Sequence, residues 1–446
     1  MARDLTKGSI PGHVAALAIP AIFSMLAVVA NNFIDTALVG HLGDAELAAV
    51  GSSAFIIWLI FSLLDVFSVG AQAVISQEFG AGNLANASRY SESIFSFAIL
   101  FSIGLAILGI GFSGRLFDNL NLAPHVETMG EQYLMIVFFA IPCMLFNEVI
   151  SAIFRAIGDT RTPMKIMLMA VGLNIVLDIL LIYGIWIFPR LETAGAAIAT
   201  ATAHTAGSVL AWRAVKKGKI PFKIFPENFF NIDFRIVRRM IRIGLPIGIS
   251  NINFSLVYLV MTRIMSEFGT VAVASIPVGN RAESFSYMIC FGFYIAVSAL
   301  VGQNIGANNP ARVTRSVWTT VGFTSIATSL FGVTFALFSS NLASIMTGET
   351  EVIKIASYYL RILAISQIFM GLEFVFEGAF SGAGNTVPHM TVSIPGTLIR
   401  IPLSYYLAIT VGLGPVGIFW AITISTIVKG TSILIWFRFA RWRKVL

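Results

Sequence analysis

Apolar runs as long as a membrane-spanning helix recur along this chain, and they constrain its fold more than any other feature. A bilayer core asks about 20 consecutive, mostly apolar residues of a helix. Punctuated at Gly, Pro, Asn and charge clusters, the sequence gives twelve such runs: 14–39, 47–77, 88–112, 130–157, 162–187, 194–214, 237–266, 271–302, 312–338, 353–382, 387–410 and 414–438. A transmembrane β-barrel would instead show short alternating segments. The runs take up most of the 446 residues, so no separate soluble domain fits. Only 11% of residues are charged, against roughly 25% in soluble domains. That is too few to cover a large soluble enzyme. The two cysteines, Cys143 and Cys290, lie inside apolar runs and make no disulfide framework. Arg3 and Lys7 precede a long apolar run rather than a short one with a cleavage site, so the first helix is expected to stay in the membrane.

The few charges are sorted. With twelve spans, both termini and the even-numbered loops share one side, and 21 of the 29 Lys and Arg fall there. Five fall on the opposite side, and Arg281, Arg400 and Lys429 fall within spans. By the positive-inside rule both termini are cytoplasmic. The basic stretch 213–242 is then an orientation signal beside anionic lipid, and the net charge of +7 needs no nucleic-acid partner.

An internal repeat organises the spans. One fixed offset carries Pro20 onto Pro246, Ser24 onto Ser250, Thr36 onto Thr262 and Gly43 onto Gly269. The same offset carries Gln77–Asn83 onto Gln303–Asn309, Arg89 onto Arg315, Tyr133 onto Tyr359, and Gly158-Asp159-Thr160 onto Gly384-Asn385-Thr386. Apolar matches arise by chance; Gly, Pro, Gln and Asn matches in one register do not. The expected fold is therefore all-α and polytopic, with twelve transmembrane helices in two pseudo-twofold-related six-helix bundles. The expected boundaries are an N-terminal lobe over 1–215, a cytoplasmic linker over 216–236 and a C-terminal lobe over 237–446. Parallel repeats of this kind point to a transporter working by alternating access.

These motifs, in this order and repeated, resemble the multidrug and toxic compound extrusion (MATE) transporters over essentially the whole chain. Each half carries a proline in its first helix, a Gln-x-x-Gly-Ala segment ending the second, and an R-A-x-G-D-T-like segment after the fourth, here Arg155–Thr160 and more loosely Ser381–Thr386. Asp35 in the first helix, with Asn174 and Asp178 in the fifth, is similar to the bacterial DinF-like branch. Another branch carries acids in the seventh and tenth helices. Here the seventh reads Asn251-Ile-Asn253-Phe254, and Glu373 and Glu377 in the tenth are offset from that pattern. The resemblance implies a secondary antiporter in the bacterial inner membrane, exporting amphipathic, often cationic drugs. It implies no enzyme activity, no cofactor, and a monomer in membrane lipid.

The intramembrane polar residues fit that expectation. An acid near the bilayer centre costs about 2.5–3.5 kcal/mol, so it lines a cavity or finds partners. Asn31 and Asn32 share a helix face with Asp35, and Asn174 shares one with Asp178. Asn31 and Asn32 are candidates for the substrate cavity. By the resemblance, Asp35, Asn174, Asp178, Thr200 and Tyr133 form the coupling site, and Pro20 is a hinge bent by protonation of Asp35. The plainer roles are interhelical hydrogen bonds for the polar residues and a static kink for Pro20. In the second half, Arg281, Glu283, Glu373, Glu377 and Arg400 are expected to form a structural or gating network. Asp65 and Glu148 stay unassigned, and His204 could shuttle protons or serve only as a hydrogen-bonded helix contact.

Two alternatives stay open. The carboxylates, Asn174 and Thr200 could ligate Na⁺ through oxygen as well as exchange protons. A lipid-linked oligosaccharide flippase would need a cationic cavity, whereas Asp35 and Asp178 are acidic. No Walker A motif and no His/Cys metal spacing occurs, so transport would be secondary and no resident metal is expected.

Overall fold

The structure, a computed structural model, describes residues 2–117, 123–227 and 229–439. Arg441, Arg443 and Lys444, which add to the basic count, lie outside these residues. The described residues form helices and connecting turns. The first half holds α1 (Ile10–Gly40), α2 (Asp44–Gly80), α3 (Leu84–Phe112), α4 (Pro124–Ala156), α5 (Arg161–Tyr183) and α6 (Glu192–Lys216). The second holds α7 (Phe234–Ser266), α8 (Thr270–Gly306), α9 (Pro310–Ser344), α10 (Thr350–Ala364), α11 (Gln367–Gly382), α12 (Val387–Leu398), α13 (Arg400–Tyr405) and α14 (Pro415–Phe439).

These helices make twelve rods, two of them interrupted. The expected span 353–382 is two helices, α10 and α11, meeting at a bend of 58°. There the Ser366 hydroxyl donates to the Leu363 carbonyl at 3.0 Å, a back-bond that bends helices. The expected span 387–410 breaks between α12 and α13, because Pro402 has no amide to give the Leu398 carbonyl. Among the described residues ten helices are long and apolar enough to cross a membrane, or eleven with the bent pair as one span. The remaining rod is α6, whose apolar content is mostly alanine with Thr and His between.

The repeat is a repeat of structure. The offset that carries Pro20 onto Pro246 also carries both ends of α2 onto the ends of α8, Asp44 onto Thr270 and Gly80 onto Gly306. Asn83 caps α3 by accepting the Asn86 amide, and Asn309 caps α9 by accepting the Arg312 amide, both at 3.1 Å. The turns before these caps place Gly82 at φ +74° and Asn308 at +53°, a region open to Gly and Asn.

The chain divides into two compact units, but not at the expected boundaries. One comprises Met1–Asp4 and Phe23–Gly244; the other comprises Leu5–Ile22 and Leu245–Leu446. The division cuts α1 two residues after Pro20 and α7 just before Leu245-Pro246. Leu5, Val14 and Leu17 are buried in a core with Val297, Leu300, Val317, Phe376 and Ile433. Ile236, Val237 and Met240 are buried in a core with Leu64, Val74, Ile94, Leu134 and Phe154. The head of each unit's first helix thus belongs to the other unit's core. A Cβ on Gly244 would stand 2.0 Å from the Val66 carbonyl, so only glycine allows α7 this close to α2. The expected linker is part of the first unit: Ile220 and Ile224 are buried in its core. Arg89 pairs with Asp233 at 2.6 Å. The Arg235 amide and the Arg89 guanidinium hold the Asp233 carboxyl below its usual range. In this stretch Lys223 pairs with Glu227 at 3.1 Å and Arg239 with Glu78 at 3.7 Å, both within the same unit.

Candidate functional site

Asp35 stands five residues before the end of α1, and Asp178 five before the end of α5. Tyr183, one turn beyond Asp178, donates to the Leu38 carbonyl at 2.8 Å and ties these two helix ends together. Val39, Ile182 and Ala196 seal the junction, with Tyr133 and Tyr183 packed on them. Asp178 and Asn174 are only 1% and 4% exposed, an unusual setting for polar side chains.

The hydrogen bonds around this pair are incomplete. Asn31 Nδ2 donates to Asp35 Oδ2 at 2.9 Å. Asp35 Oδ1, both oxygens of Asp178, and both polar atoms of the Asn174 amide are buried without a hydrogen-bond partner among the described residues. Yet the Asp35 and Asp178 carboxyls lie within hydrogen-bonding reach of each other. Two ionised carboxylates offer acceptors only. Their contact becomes a hydrogen bond when one of them carries a proton. The fields of both carboxylates also reach the Tyr133 hydroxyl.

Two sequence candidates stand apart. Thr200 is half-buried on α6, and its side chain makes no hydrogen bond among the described residues. The Asn32 side chain is exposed, and its carbonyl accepts the Thr36 hydroxyl at 2.7 Å. Asn31 joins the acid pair and Asn32 does not, since one residue turns a helix by about 100°.

The second unit arranges its charges differently. Lys429 Nζ donates to Glu373 Oε1 at 2.9 Å, with side chains 6% and 11% exposed. Arg400 donates through Nε to Ser425 at 2.9 Å and through Nη2 to Thr426 at 3.2 Å, and lies 5.5 Å over the Phe254 ring. Tyr359 donates toward Asn280 Oδ1 at 2.8 Å and Glu283 Oε2 at 3.0 Å. His389 Nε2 lies 3.7 Å from Glu377. Glu283, Glu373, Glu377 and Arg400 are therefore brought into bonded groups. Arg281 is exposed on α8. The sequence reading missed Lys429 and His389 as members. A lysine in the middle of apolar α14 was the available signal.

Among the described residues no three His, Cys, Asp or Glu side chains gather as a metal site.

Three kinds of comparison with known proteins give likenesses. The MatE family model matches residues 20–180 and 246–406, two segments that begin at the repeat-related Pro20 and Pro246. A probable multidrug resistance protein NorM from Thermotoga maritima is 29% identical, over 96% of this chain and 92% of the relative. A FAD transporter from Shewanella oneidensis is 24% identical, over 87% of this chain and 86% of its own. Among solved structures, a MOP superfamily transporter from Pyrococcus furiosus superposes with a TM-score of 0.93 at 20% identity, covering 99% of this chain and 98% of that one. At that identity the superposition speaks for the fold.

Proposed function

This chain belongs to the MatE family of multidrug efflux transporters, and from that premise we propose that it is a proton-coupled antiporter with the Asp35–Asp178 pair as its coupling site. One observation carries the reading. Buried Asp178 and half-buried Asp35 bring their carboxyls within hydrogen-bonding reach, and no donor meets Asp35 Oδ1 or either oxygen of Asp178 among the described residues. A proton shared by the pair supplies the missing donor. Loss of that proton leaves two like charges close together in a poorly solvated place, a state that a cationic substrate or a rearranged helix relieves. Asn31 and Tyr133 follow the same event, one as donor to Asp35 and the other through its electrostatic contact with both acids.

The hinge belongs to this proposal. Pro20 deletes a backbone hydrogen bond inside α1, and α1 changes units two residues later. Protonation of the acid pair redraws the bonds of residues 23–40, and α1 bends where it is weakest. The cargo we propose is an amphipathic organic cation, moved across the bacterial inner membrane with both termini cytoplasmic. The relative named for FAD raises the alternative of an anionic cargo. Against it, the buried cations of the second unit are engaged: Lys429 by Glu373, and Arg400 by Ser425, Thr426 and the Phe254 ring.

The test is drug export in proteoliposomes with a pH gradient and a Na⁺ gradient imposed separately. Export driven by the pH gradient and abolished in Asp35→Asn is expected. Export driven by Na⁺ alone would move the unpartnered oxygens of Asp35, Asp178 and Asn174 to a Na⁺-binding role.

A further inference from the structure

The first unit holds another group of charges, of both signs, that the coupling site does not use. It joins three helices. Arg155 at the end of α4 donates through Nη2 to Ser68 of α2 at 2.6 Å, and through Nε to Gln72 at 3.1 Å. Ser68 in turn donates to Glu148 Oε2 at 3.1 Å, and Arg155 stands 3.6 Å from the same carboxylate. Asp65, one turn before Ser68, is in the field of both Glu148 and Arg155. His204 of α6 is in the field of Glu148, and its carbonyl accepts the Asn147 amide at 2.8 Å. From α3, Phe95 packs an aromatic edge on Phe146. The facing titratable groups are thus two carboxylates, one guanidinium and one imidazole. With the imidazole neutral, one carboxylate is in excess, and a single proton balances the group.

The repeat shows that the fold does not require these charges. In the second half, the repeat position of Asp65 holds Phe291, that of Ser68 holds Tyr294, that of Glu148 holds Phe374 and that of Arg155 holds Ser381. The replacements meet one another in the same pattern. Phe291 and Phe374 pack edge to face at 6.3 Å, and Tyr294 donates to Ser381 at 3.2 Å. Where the second unit uses rings and a neutral hydrogen bond, the first keeps charges that are costly to bury.

Position supplies the role. Tyr133, in the field of the Asp35–Asp178 pair, and Glu148 are 15 positions apart on α4, about 22 Å at 1.5 Å per residue. That is a large part of the roughly 30 Å hydrocarbon core. Glu148 lies toward the end of α4 marked by Arg155, Arg161 and Lys165, the cytoplasmic end by charge distribution. Its side chain is 31% exposed.

We propose that Asp65 and Glu148, held by Arg155 and flanked by His204, form a second proton-binding site through which the coupling proton leaves toward the cytoplasm. This rests on the proton-coupled reading. The step balances simply: a carboxylic acid of the Asp35–Asp178 pair gives its proton to water, a carboxylate of this second group takes it, and the same oxygen later returns it to cytoplasmic water. No electrons move.

The experiment uses the full chain in proteoliposomes, with radiolabelled tetraphenylphosphonium as cargo, and compares wild type with Asp65→Asn/Glu148→Gln. Two rates are read: export driven by a pH gradient, and cargo-for-cargo counterflow without a gradient, which needs no net proton release. A drop in gradient-driven export on the order of 10²-fold, typical for loss of a positioned proton-transfer group, with counterflow retained, is the expected result. Equal loss of both rates would make the group structural and overturn the proposal, as would wild-type rates of both. If a Na⁺ gradient and not a pH gradient drives the wild type, the proton-coupled reading itself falls. If the pH gradient drives wild type and variant alike, only the second site falls.

Discussion

The two units share one architecture and treat two repeat-related pairs of buried polar residues in opposite ways. In the second, Glu373 has Lys429 within 2.9 Å, and Arg400 has two hydroxyls and a ring. In the first, Asn147 and Asn174 hold the repeat positions of Glu373 and Arg400. There Asp178 and Asn174 are buried with unpartnered atoms. Burying a charge is tolerable when it is paired and hydrogen-bonded, and costly otherwise. At these repeat-related positions one copy is satisfied and the other is not. The unsatisfied copy is where an added proton changes the structure most. The satisfied copy is a scaffold.

Four sets of substitutions break or sharpen this contrast. The largest effect is expected from Asp178→Asn or Asp35→Asn. Gradient-driven export should fall by about 10²–10⁴-fold, as for removal of a positioned proton-transfer group, while thermal unfolding in detergent stays at or above wild type. Wild-type export from either variant would erase the functional difference between the units. Next comes Lys429→Ala, which strands Glu373 in the interior and should lower stability by about 3–5 kcal/mol. The paired change Lys429→Met/Glu373→Leu should recover most of it, because no charge is left unpaired. A wild-type melting curve for Lys429→Ala alone would show that the second unit's ion pair is not structural.

The repeat-related tyrosines give a smaller, cleaner comparison. Tyr359→Phe removes the donor to Glu283 and Asn280 and should cost about 1 kcal/mol, the usual net value of a hydrogen bond. Tyr133→Phe should change export and its pH dependence more than stability, since that hydroxyl serves the unsatisfied pair. The reverse ranking would contradict the assignment of scaffold and site. Smallest is Pro20→Ala. Restoring the backbone hydrogen bond should leave melting unchanged or slightly raised and slow turnover, measured under a fixed pH gradient. Unchanged turnover would make Pro20 a static kink.

Much of this was legible in the sequence, for definite reasons. The twelve rods followed from run length, and the repeat from Gly, Pro, Gln and Asn matches that build turns and caps at Gly82, Asn83, Asn308 and Asn309. Asp35 and Asp178 stood out because acids are rare in apolar helices. What stayed hidden depends on distance along the chain. The Lys429–Glu373 pair spans 56 residues, and neither residue carries a local sign of the other. Which neighbours Arg281 and Thr200 face stayed hidden too, because a polar residue in a span does not announce them. The exchange of the heads of α1 and α7 between units is a packing outcome of Leu5, Leu17, Val237 and Met240, and their apolar character alone fits either core. The bend between α10 and α11 rests on one serine back-bond, and serine is common in helices that stay straight.

Proton counting on the purified protein tests the coupling site most directly. In weakly buffered detergent solution, a pH-indicating dye follows protons released when tetraphenylphosphonium is added. The wild-type protein is expected to release protons, and Asp35→Asn and Asp178→Asn are each expected to release fewer while still binding the cation. Undiminished release from both variants would contradict the Asp35–Asp178 pair as the place where proton and drug compete.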